Sequence, residues 1–299
     1  MGTLRTTTRS GHLTAVQPLA HGGKNSGTVH TFRRETIFGE DGTPYAAVPS
    51  ISGGTIRYSL RSVAAKLMHD FLVGDGTLPF AVVHAMHNGG AMRETKSVKE
   101  LITGEKQAQL RETVPLFGVF GGMGGARSIS GRLDVDSAIP VTKETAFLGD
   151  FYAGERPDDS TLLSAYEIVQ RLSYGRFSTA EGSDVQSLID QDSERELPRG
   201  GGMLFWSQEV LPIGTRLWHS ITLNDATPVE TSFFNEVFNI WSQRAVIGQQ
   251  RRVGMGKVTP NYNTTVTNIA GLPAETVDTS WREELKDRKD DALEALSWL

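Results

Sequence analysis

The sequence contains no cysteine, and this absence excludes disulfide bonds, thiolate metal sites and a cysteine nucleophile. It also has no apolar run of the roughly 18 residues that a membrane span requires, and its first residues lack the apolar core of a signal peptide. An overall basic charge is missing as well, because 35 Asp and Glu outnumber 30 Lys and Arg. A net acidic chain is not typical of nucleic-acid-binding proteins. We therefore expect a cytoplasmic protein without membrane association, large enough at 299 residues to bury a core.

Glycine is in excess, with 32 residues, and many of these stand in pairs or triplets without a repeat period. Four of these glycine pairs, at 22–23, 53–54, 121–122 and 124–125, fall in stretches that carry basic residues and no acidic ones. Four such windows, residues 21–34, 50–66, 118–132 and 244–257, hold twelve of the 30 Lys and Arg and none of the 35 Asp and Glu. Bare backbone beside Lys and Arg is what phosphate recognition needs. The windows therefore predict a phosphate-binding surface that the net charge conceals.

Apolar periodicity favours an α+β fold in which helices cover one face of an antiparallel sheet. A helix beginning at Ser52 or Thr55 has apolar residues at helical spacing and ends at Gly74 to Gly76. Further helices are predicted over residues 98–111, 160–172, 231–247 and 281–298. Strands are predicted over residues 12–20, 28–38, 81–85, 115–120 and 128–135, with an edge strand after Arg251. Two more, over residues 203–211 and 215–223, are expected to pair as a hairpin.

Motifs for common cofactors do not match. A P-loop requires Gly-Lys-Ser/Thr, whereas Gly23-Lys24 is followed by Asn25 and Gly256-Lys257 by Val258. The glycines at 122 and 124 lack the third glycine of a dinucleotide-binding loop. The spacings His84/His87 and Asp134/Asp136 would suit metal ligands, but ordinary loop or strand roles are commoner for such pairs. We predict no cofactor and no bound metal.

Four motifs in order resemble those of the CRISPR-associated RAMP superfamily. Residues 49–61, Pro-Ser-Ile-Ser-Gly-Gly-Thr-Ile-Arg-Tyr-Ser-Leu-Arg, resemble its strand–Pro–Gly element followed by a helix with Arg. Leu-Phe-Gly at 116–118 and Gly-Arg-Leu-Asp-Val-Asp at 131–136 resemble its centre. Glu-Val-Leu-Pro-Ile-Gly-Thr at 209–215 resembles its hairpin, and residues 247–258 its terminal glycine-rich loop. The ordered set is most similar to the backbone subunit of class 1 CRISPR effectors, in the type IV version.

The resemblance implies one RAMP-type domain over residues 1–299, with a ferredoxin-like, RRM-type palm and finger and thumb insertions. The palm is expected at about residues 12–60, 115–172 and 203–260. An insertion is expected at about 75–114, the thumb at about 174–202 and a C-terminal helix at about 280–298.

The resemblance also implies a non-catalytic subunit that binds the phosphate backbone of a CRISPR guide RNA and polymerises along it. The expected partners are the guide RNA, a complementary target nucleic acid, further copies of the chain and other effector subunits. The early-loop Asp with which type III relatives cut RNA is missing from residues 22–34. Two alternatives stay open: a RAMP endoribonuclease that processes repeat RNA with His21 as base, and a structural protein that oligomerises without RNA.

The residues expected to bind RNA are the cations, glycines and neighbours of the basic windows. Cations would contact phosphates, glycines would allow close approach, and Arg57 and Arg61 would lie one turn apart on one helix face. Met123 or Met255 would press against a base, although core packing is the commoner role for each. The full set is His21, Gly22, Gly23, Lys24, Ser52, Gly53, Gly54, Arg57, Arg61, Gly122, Met123, Gly124, Arg127, Arg251, Arg252, Gly254, Met255, Gly256 and Lys257.

Overall fold

The computed structural model describes residues 4–90, 103–124, 127–176, 204–276 and 279–299. The strands in chain order are β1 (Arg5–Ala15), β2 (Gly22–Ser26), β3 (Val29–Phe32), β4 (Arg34–Phe38), β5 (Pro44–Pro49), β6 (Gly122–Gly124), β7 (Arg127–Ile129), β8 (Leu133–Val135), β9 (Ile139–Pro140), β10 (Gln170–Arg176), β11 (Leu204–Val210), β12 (Arg216–Ala226) and β13 (Val258–Asn268). The helices are α1 (Gly53–Val73), α2 (Phe80–Asn88), α3 (Gly104–Thr113), α4 (Pro115–Phe120), α5 (Leu148–Tyr152), α6 (Pro228–Gln243), α7 (Trp281–Glu284) and α8 (Lys289–Leu296). None of these helices is long and apolar enough to cross a membrane.

The main sheet has five antiparallel strands in the order β13-β1-β12-β8, with β9 also paired to β12. Alternate side chains of β1 are buried, and Leu217 of β12 lies in the main core while its neighbour Trp218 lies on the opposite face. On the core side, α6 packs against the central strands and α1 packs against α6. On the other side, Tyr152 of α5 stacks on Trp218. The predicted α+β class with antiparallel sheets is confirmed, although α5 adds a helix to the second face.

A second sheet, in the order β10-β11-β3-β2, contains one parallel pair, β11 with β3. Its presence overturns the predicted hairpin over residues 203–223. Both strands exist, but β11 pairs with β10 and β3, while β12 belongs to the main sheet. The turn at residues 212–214 therefore passes the chain from one sheet to the other. The predicted thumb, residues 174–202, lies outside the described residues apart from its first three, which end β10.

Helix α1 confirms the prediction drawn from its apolar spacing. It begins directly after Ser52 and ends at Val73, before Gly74. Its inward residues are fully or almost fully buried, among them Ile56, Leu60, Leu67 and Phe71. Burial of this stripe against α6 holds the helix start beside the main sheet, where the candidate site lies.

Short apolar runs gave wrong predictions. Residues 81–85 lie in α2, and residues 115–120 form the buried helix α4, with Pro115 in its first turn. Neither run is long enough for its period to separate a strand from a helix. The predicted helix over residues 160–172 is also wrong, because the segment has one 3-10 turn at Asp159–Thr161 and then enters β10, and Tyr166 is 86% exposed.

Other predicted elements are present, but their boundaries differ from the predicted ones. The first predicted strand is β1, which starts seven residues earlier, and the second is split into β3 and β4. Residues 128–135 divide between β7 and β8, and the last helix breaks into α7 and α8. The polar helix over residues 98–111 is seen as α3, with residues 98–102 outside the described part. The predicted helix over residues 231–247 is α6, and the predicted edge strand is β13.

Candidate nucleic-acid interface

Three of the predicted site segments meet at the start of α1. The backbone N–H of Ser52 donates to Nε2 of His21 at 3.3 Å. The N–H of Gln249 donates to the carbonyl of Ala20 at 2.7 Å, and that of Gly256 to the carbonyl of Pro18 at 3.0 Å. We call residues 18–24, 50–54 and 246–257 together the loop cluster. Because two backbone–backbone hydrogen bonds and one from a backbone N–H to the His21 ring tie the three segments, they form one surface and not three separate loops.

Most glycines of the loop cluster serve the packing of the chain itself. A Cβ on Gly53 would lie 2.0 Å from the carbonyl oxygen of Val135, and one on Gly256 would lie 2.4 Å from that of Ile247. At Gly22 and Gly23 a Cβ would meet the side chain of Gln249 and the carbonyl of Phe32. These close approaches explain the glycines without any ligand.

Gly54 and Gly254 differ, because no atom lies within 4 Å of the position that a Cβ would take. Both residues are exposed. Among the glycines of the loop cluster predicted to admit RNA, these two leave open space beside the backbone.

Three arginines of the basic windows are neutralised by carboxylates from elsewhere in the chain. Arg33 pairs with Glu35 at 2.8 Å, Arg34 with Glu209 at 2.9 Å and Arg132 with Glu230 at 3.2 Å. A window free of acids in sequence is therefore not free of acids in space.

Arg57 and Arg61 share a helix face, as predicted, but this face is turned into the protein. Arg61 is 6% exposed, and its guanidinium donates to four carbonyls at 2.7–3.1 Å, those of Ala85, Met86, Phe120 and Gly121. Arg57 donates to the carbonyl of Phe120 at 2.9 Å and to that of Leu133. Burial, with a smaller contribution from Arg57, lowers the pKa of Arg61 to about 10.

Apart from the Leu133 carbonyl in β8, these carbonyls belong to the carboxyl ends of α2 and α4 and the residue that follows α4. Helix carboxyl ends carry partial negative charge, which compensates a buried cation that has no carboxylate partner. The structure thus gives both arginines protein partners in place of the predicted phosphates, and they hold α1 to α2 and α4.

Six cations of the basic windows remain exposed, and none of them has a carboxylate within 4 Å in the described part of the chain: Lys24, Lys66, Arg244, Arg251, Arg252 and Lys257. The side chain of Arg127 lies outside that part. Four of the six lie in the loop cluster. We call these four, Lys24, Arg251, Arg252 and Lys257, with the exposed Gly54 and Gly254, the basic surface.

The two candidate methionines, Met123 and Met255, differ in exposure. Met255 is 4% exposed and packs with Ala20 and Val210, so it has the packing role. Met123 is 38% exposed and stands between Gly122 and Gly124 in β6, which pairs with β7. Only Met123 is placed to meet a ligand.

His21 belongs to the framework of the loop cluster. It is buried, its ring packs edge-on against Phe32, and Nε2 already accepts the Ser52 N–H. Burial, and then the charge of Arg33, lowers the pKa of His21. A base for RNA cleavage needs a free ring nitrogen at the substrate, and the hydrogen bond to Ser52 occupies one.

The aspartates at the end of β8 have protein partners. Asp134 accepts a hydrogen bond from Nδ2 of Asn224 at 2.6 Å, and Asp136 accepts one from the Tyr152 hydroxyl at 3.2 Å. Within the described ranges, no group of three or more His, Cys, Asp or Glu residues is arranged to hold a metal ion.

Two residues that sequence reasoning missed also shape the loop cluster. Gln249 closes the bridge to Ala20 and covers Gly22, and Glu209 binds both the Arg34 side chain and the Phe32 N–H. Glu209 stands in the Glu-Val-Leu-Pro motif, which was the available signal. Nothing in the sequence pattern distinguishes Gln249.

The chain thus has a mixed α+β fold in which hydrogen bonds join glycine-rich loops into one cation-bearing surface. A chain of a solved structure described as "Type IV-B CRISPR Complex" is similar over 92% of this chain and 96% of that chain, with a TM-score of 0.53 and 26% sequence identity. No protein-family model matches the sequence, and no curated protein matches it. The structural match confirms the CRISPR-associated, type IV resemblance that the four motifs predicted.

Proposed function

We propose that this protein is a non-catalytic backbone subunit of a type IV-B CRISPR complex that binds guide RNA and polymerises along it. The observation that carries the proposal is the similarity to a type IV-B complex chain over nearly the whole of both chains. In this proposal the five-stranded sheet is the RRM-type palm, and the loop cluster at its edge receives the RNA.

The basic surface supplies the binding chemistry. Its four cations are exposed and have no carboxylate partner among the described residues, so they can contact phosphates; Arg251 Nε also donates to the carbonyl of Gly248 at 3.3 Å. The start of α1 adds partial positive charge, and its first turn contains no acid. Phosphate contacts carry no base information. One subunit therefore binds any guide sequence and leaves the bases to pair with a target.

Charge reversal tests the proposal. In the Arg251→Glu/Arg252→Glu variant we expect the co-purified RNA to be lost and the affinity for single-stranded RNA to fall about tenfold or more at moderate salt. The measurements are the 260/280 nm absorbance ratio before nuclease treatment, the length of extracted RNA, and the salt dependence of binding. The matched control is Lys143→Glu/Lys286→Glu, which reverses two exposed cations elsewhere; it should retain the RNA.

Each alternative function predicts a different experimental result. Purification of the wild-type protein as an RNA-free monomer would refute the proposal. Site-specific cleavage of repeat RNA that is abolished by His21→Ala would establish the endoribonuclease instead. Polymers that form without nucleic acid would establish an RNA-independent structural protein.

A further inference from the structure

A cleft of about 260 Å³ lies between α1 and α2, away from the loop cluster. Its walls are apolar and its polar groups are basic, with three residues contributed by each helix. The lining residues are Ala65, Lys66, His69, Val83, Met86 and His87. We call this the α1–α2 cleft.

Among the described residues, the titratable side chains that line the cleft are all basic. Burial lowers the pKa of His87, and three basic neighbours, Lys66, Arg61 and His69, lower it further. Asp70 follows His69 on α1 and is exposed, and it is not among the cleft-lining residues. On α2, His84 is bonded through Nδ1 to the carbonyl of Gly90.

None of the described elements packed against the two helices contributes an acidic residue to the lining. Strand β6 contacts α2, and Gly122, Met123 and Gly124 carry no charge. From α8, Lys289 lies over the Phe71 ring. Basic groups that converge from two helices without a counter-charge favour an anion.

We propose that the α1–α2 cleft binds a phosphate of the same nucleic-acid strand that the basic surface holds. The inference rests on the proposed function for the identity of that strand. Gly54 and Lys66 lie twelve residues apart on α1, so their separation along the helix axis is about 18 Å, which corresponds to about five phosphates of a stacked strand. The cleft would thus extend the length of RNA that one subunit contacts.

Phosphate binding at this cleft must be coupled to the uptake of protons by its histidines. A phosphate beside His69 and His87 favours the charged imidazolium over the neutral ring. By linkage, the complex takes up protons and the affinity for RNA rises as the pH falls.

The test uses fluorescence anisotropy of the full-length protein with a fluorescein-labelled, random-sequence, single-stranded oligoribonucleotide at pH 8.0, 7.0 and 6.0 and constant ionic strength. We expect the wild-type affinity to rise about five- to tenfold across this range, which corresponds to an average uptake of roughly 0.35–0.5 proton. In His69→Gln/His87→Gln the rise should disappear. The control His12→Gln removes a histidine of the main sheet and should retain it. Thermal melts of each variant verify that it is folded.

Three outcomes separate the two proposals. If the wild-type protein binds no RNA at any pH, the proposed function fails. If it binds RNA and the pH dependence survives in His69→Gln/His87→Gln, the cleft proposal alone is overturned. It is also overturned if RNA binding shows no pH dependence while inorganic phosphate, titrated by calorimetry, binds more tightly as the pH falls. The cleft would then be a site for free phosphate.

Discussion

Gly53 and Gly54 are adjacent in the first turn of α1, yet a methyl group would meet different surroundings at the two positions. At Gly53 it would lie 2.0 Å from the Val135 carbonyl oxygen and 2.8 Å from that of Asp136. At Gly54 it would project into open space. The first glycine is therefore a packing requirement between α1 and the end of β8, and the second is not.

This contrast predicts substitutions of opposite sign. Gly53→Ala should destabilise the protein by about 1–3 kcal/mol, because the helix start must move away from β8. Gly54→Ala should be neutral or stabilising by up to about 1 kcal/mol, because alanine restricts the unfolded chain and favours the helix. Urea unfolding of both variants measures the difference. Equal effects at the two positions would show that the helix start does not press on β8.

Arg61 shows how one side chain joins three helices. It is anchored in α1 and donates to carbonyls at the ends of α2 and α4, including that of Gly121, the residue that leads into β6. A lysine offers three donors from one point and cannot reproduce a planar fork that reaches four carbonyls. Arg61 therefore positions β6 and Met123 and is a positioning residue in the proposed function.

We expect Arg61→Lys to lower the free energy of unfolding by roughly 2–3 kcal/mol, because buried carbonyls lose their donors. RNA binding should weaken while the slope of log K against log salt stays unchanged, since no phosphate contact is lost. Arg252→Ala is the matched variant on the basic surface. Its free energy of unfolding should stay unchanged, and the slope of log K against log salt for single-stranded RNA should fall in magnitude by about 0.7. A reduced salt slope in folded Arg61→Lys would place Arg61 on a phosphate after all.

The sequence predicted those elements whose periodicity was long enough to be distinctive. Helix α1 repeats its apolar residues from Ile56 to Phe71, over about four turns, and its residues were assigned correctly. Helix α4 has six residues, all buried, and its apolar run was equally compatible with a strand. The strands β11 and β12 were located, but their pairing depends on β3 and β1, which lie far away in sequence.

The candidate site, like the fold, was predicted from the sequence only in part. Residue type and spacing predicted that glycine-rich basic segments belong together, and hydrogen bonds join three of them in the loop cluster. Spacing also placed Arg57 and Arg61 on one face. It could not show that the face meets helix carboxyl ends, because those partners are carbonyls, which every residue has. Exposure, and not residue type, separates Arg252 from Arg61.

At the scale of the whole molecule, the cations of the basic windows fall into two groups according to what surrounds them. Some cations fold back onto carboxylates or carbonyls of the chain, and six stay exposed without a carboxylate partner in the described ranges. The net charge of −5 thus coexists with a local basic surface. Such a protein should bind RNA in a strongly salt-dependent manner, with acidic segments disfavouring contact elsewhere on its surface.

Buried and half-buried histidines give the fold a dependence on pH. Burial is the largest cause that lowers the pKa of His12, His21, His87 and His219, and it lowers that of His219 to about 3. His219 is fully buried in the main sheet, where Nδ1 lies 2.6 Å from the Tyr262 hydroxyl. An unfolded chain protonates such a histidine near its ordinary pKa of about 6.5, whereas the folded protein does not.

Between these two pKa values the unfolded state binds the proton, so the stability of the fold falls as the pH drops below about 6.5. For His219 the loss should reach about 2 kcal/mol at pH 5, since each pH unit below 6.5 costs about 1.36 kcal/mol. Urea unfolding at pH 7.5, 6.0 and 5.0 measures it. In His219→Gln, whose amide oxygen can accept the Tyr262 hydroxyl, the pH dependence should shrink by about this amount, whereas in the half-buried His84→Gln it should persist. An unchanged pH dependence in folded His219→Gln would mean that other groups carry the acid sensitivity of the fold.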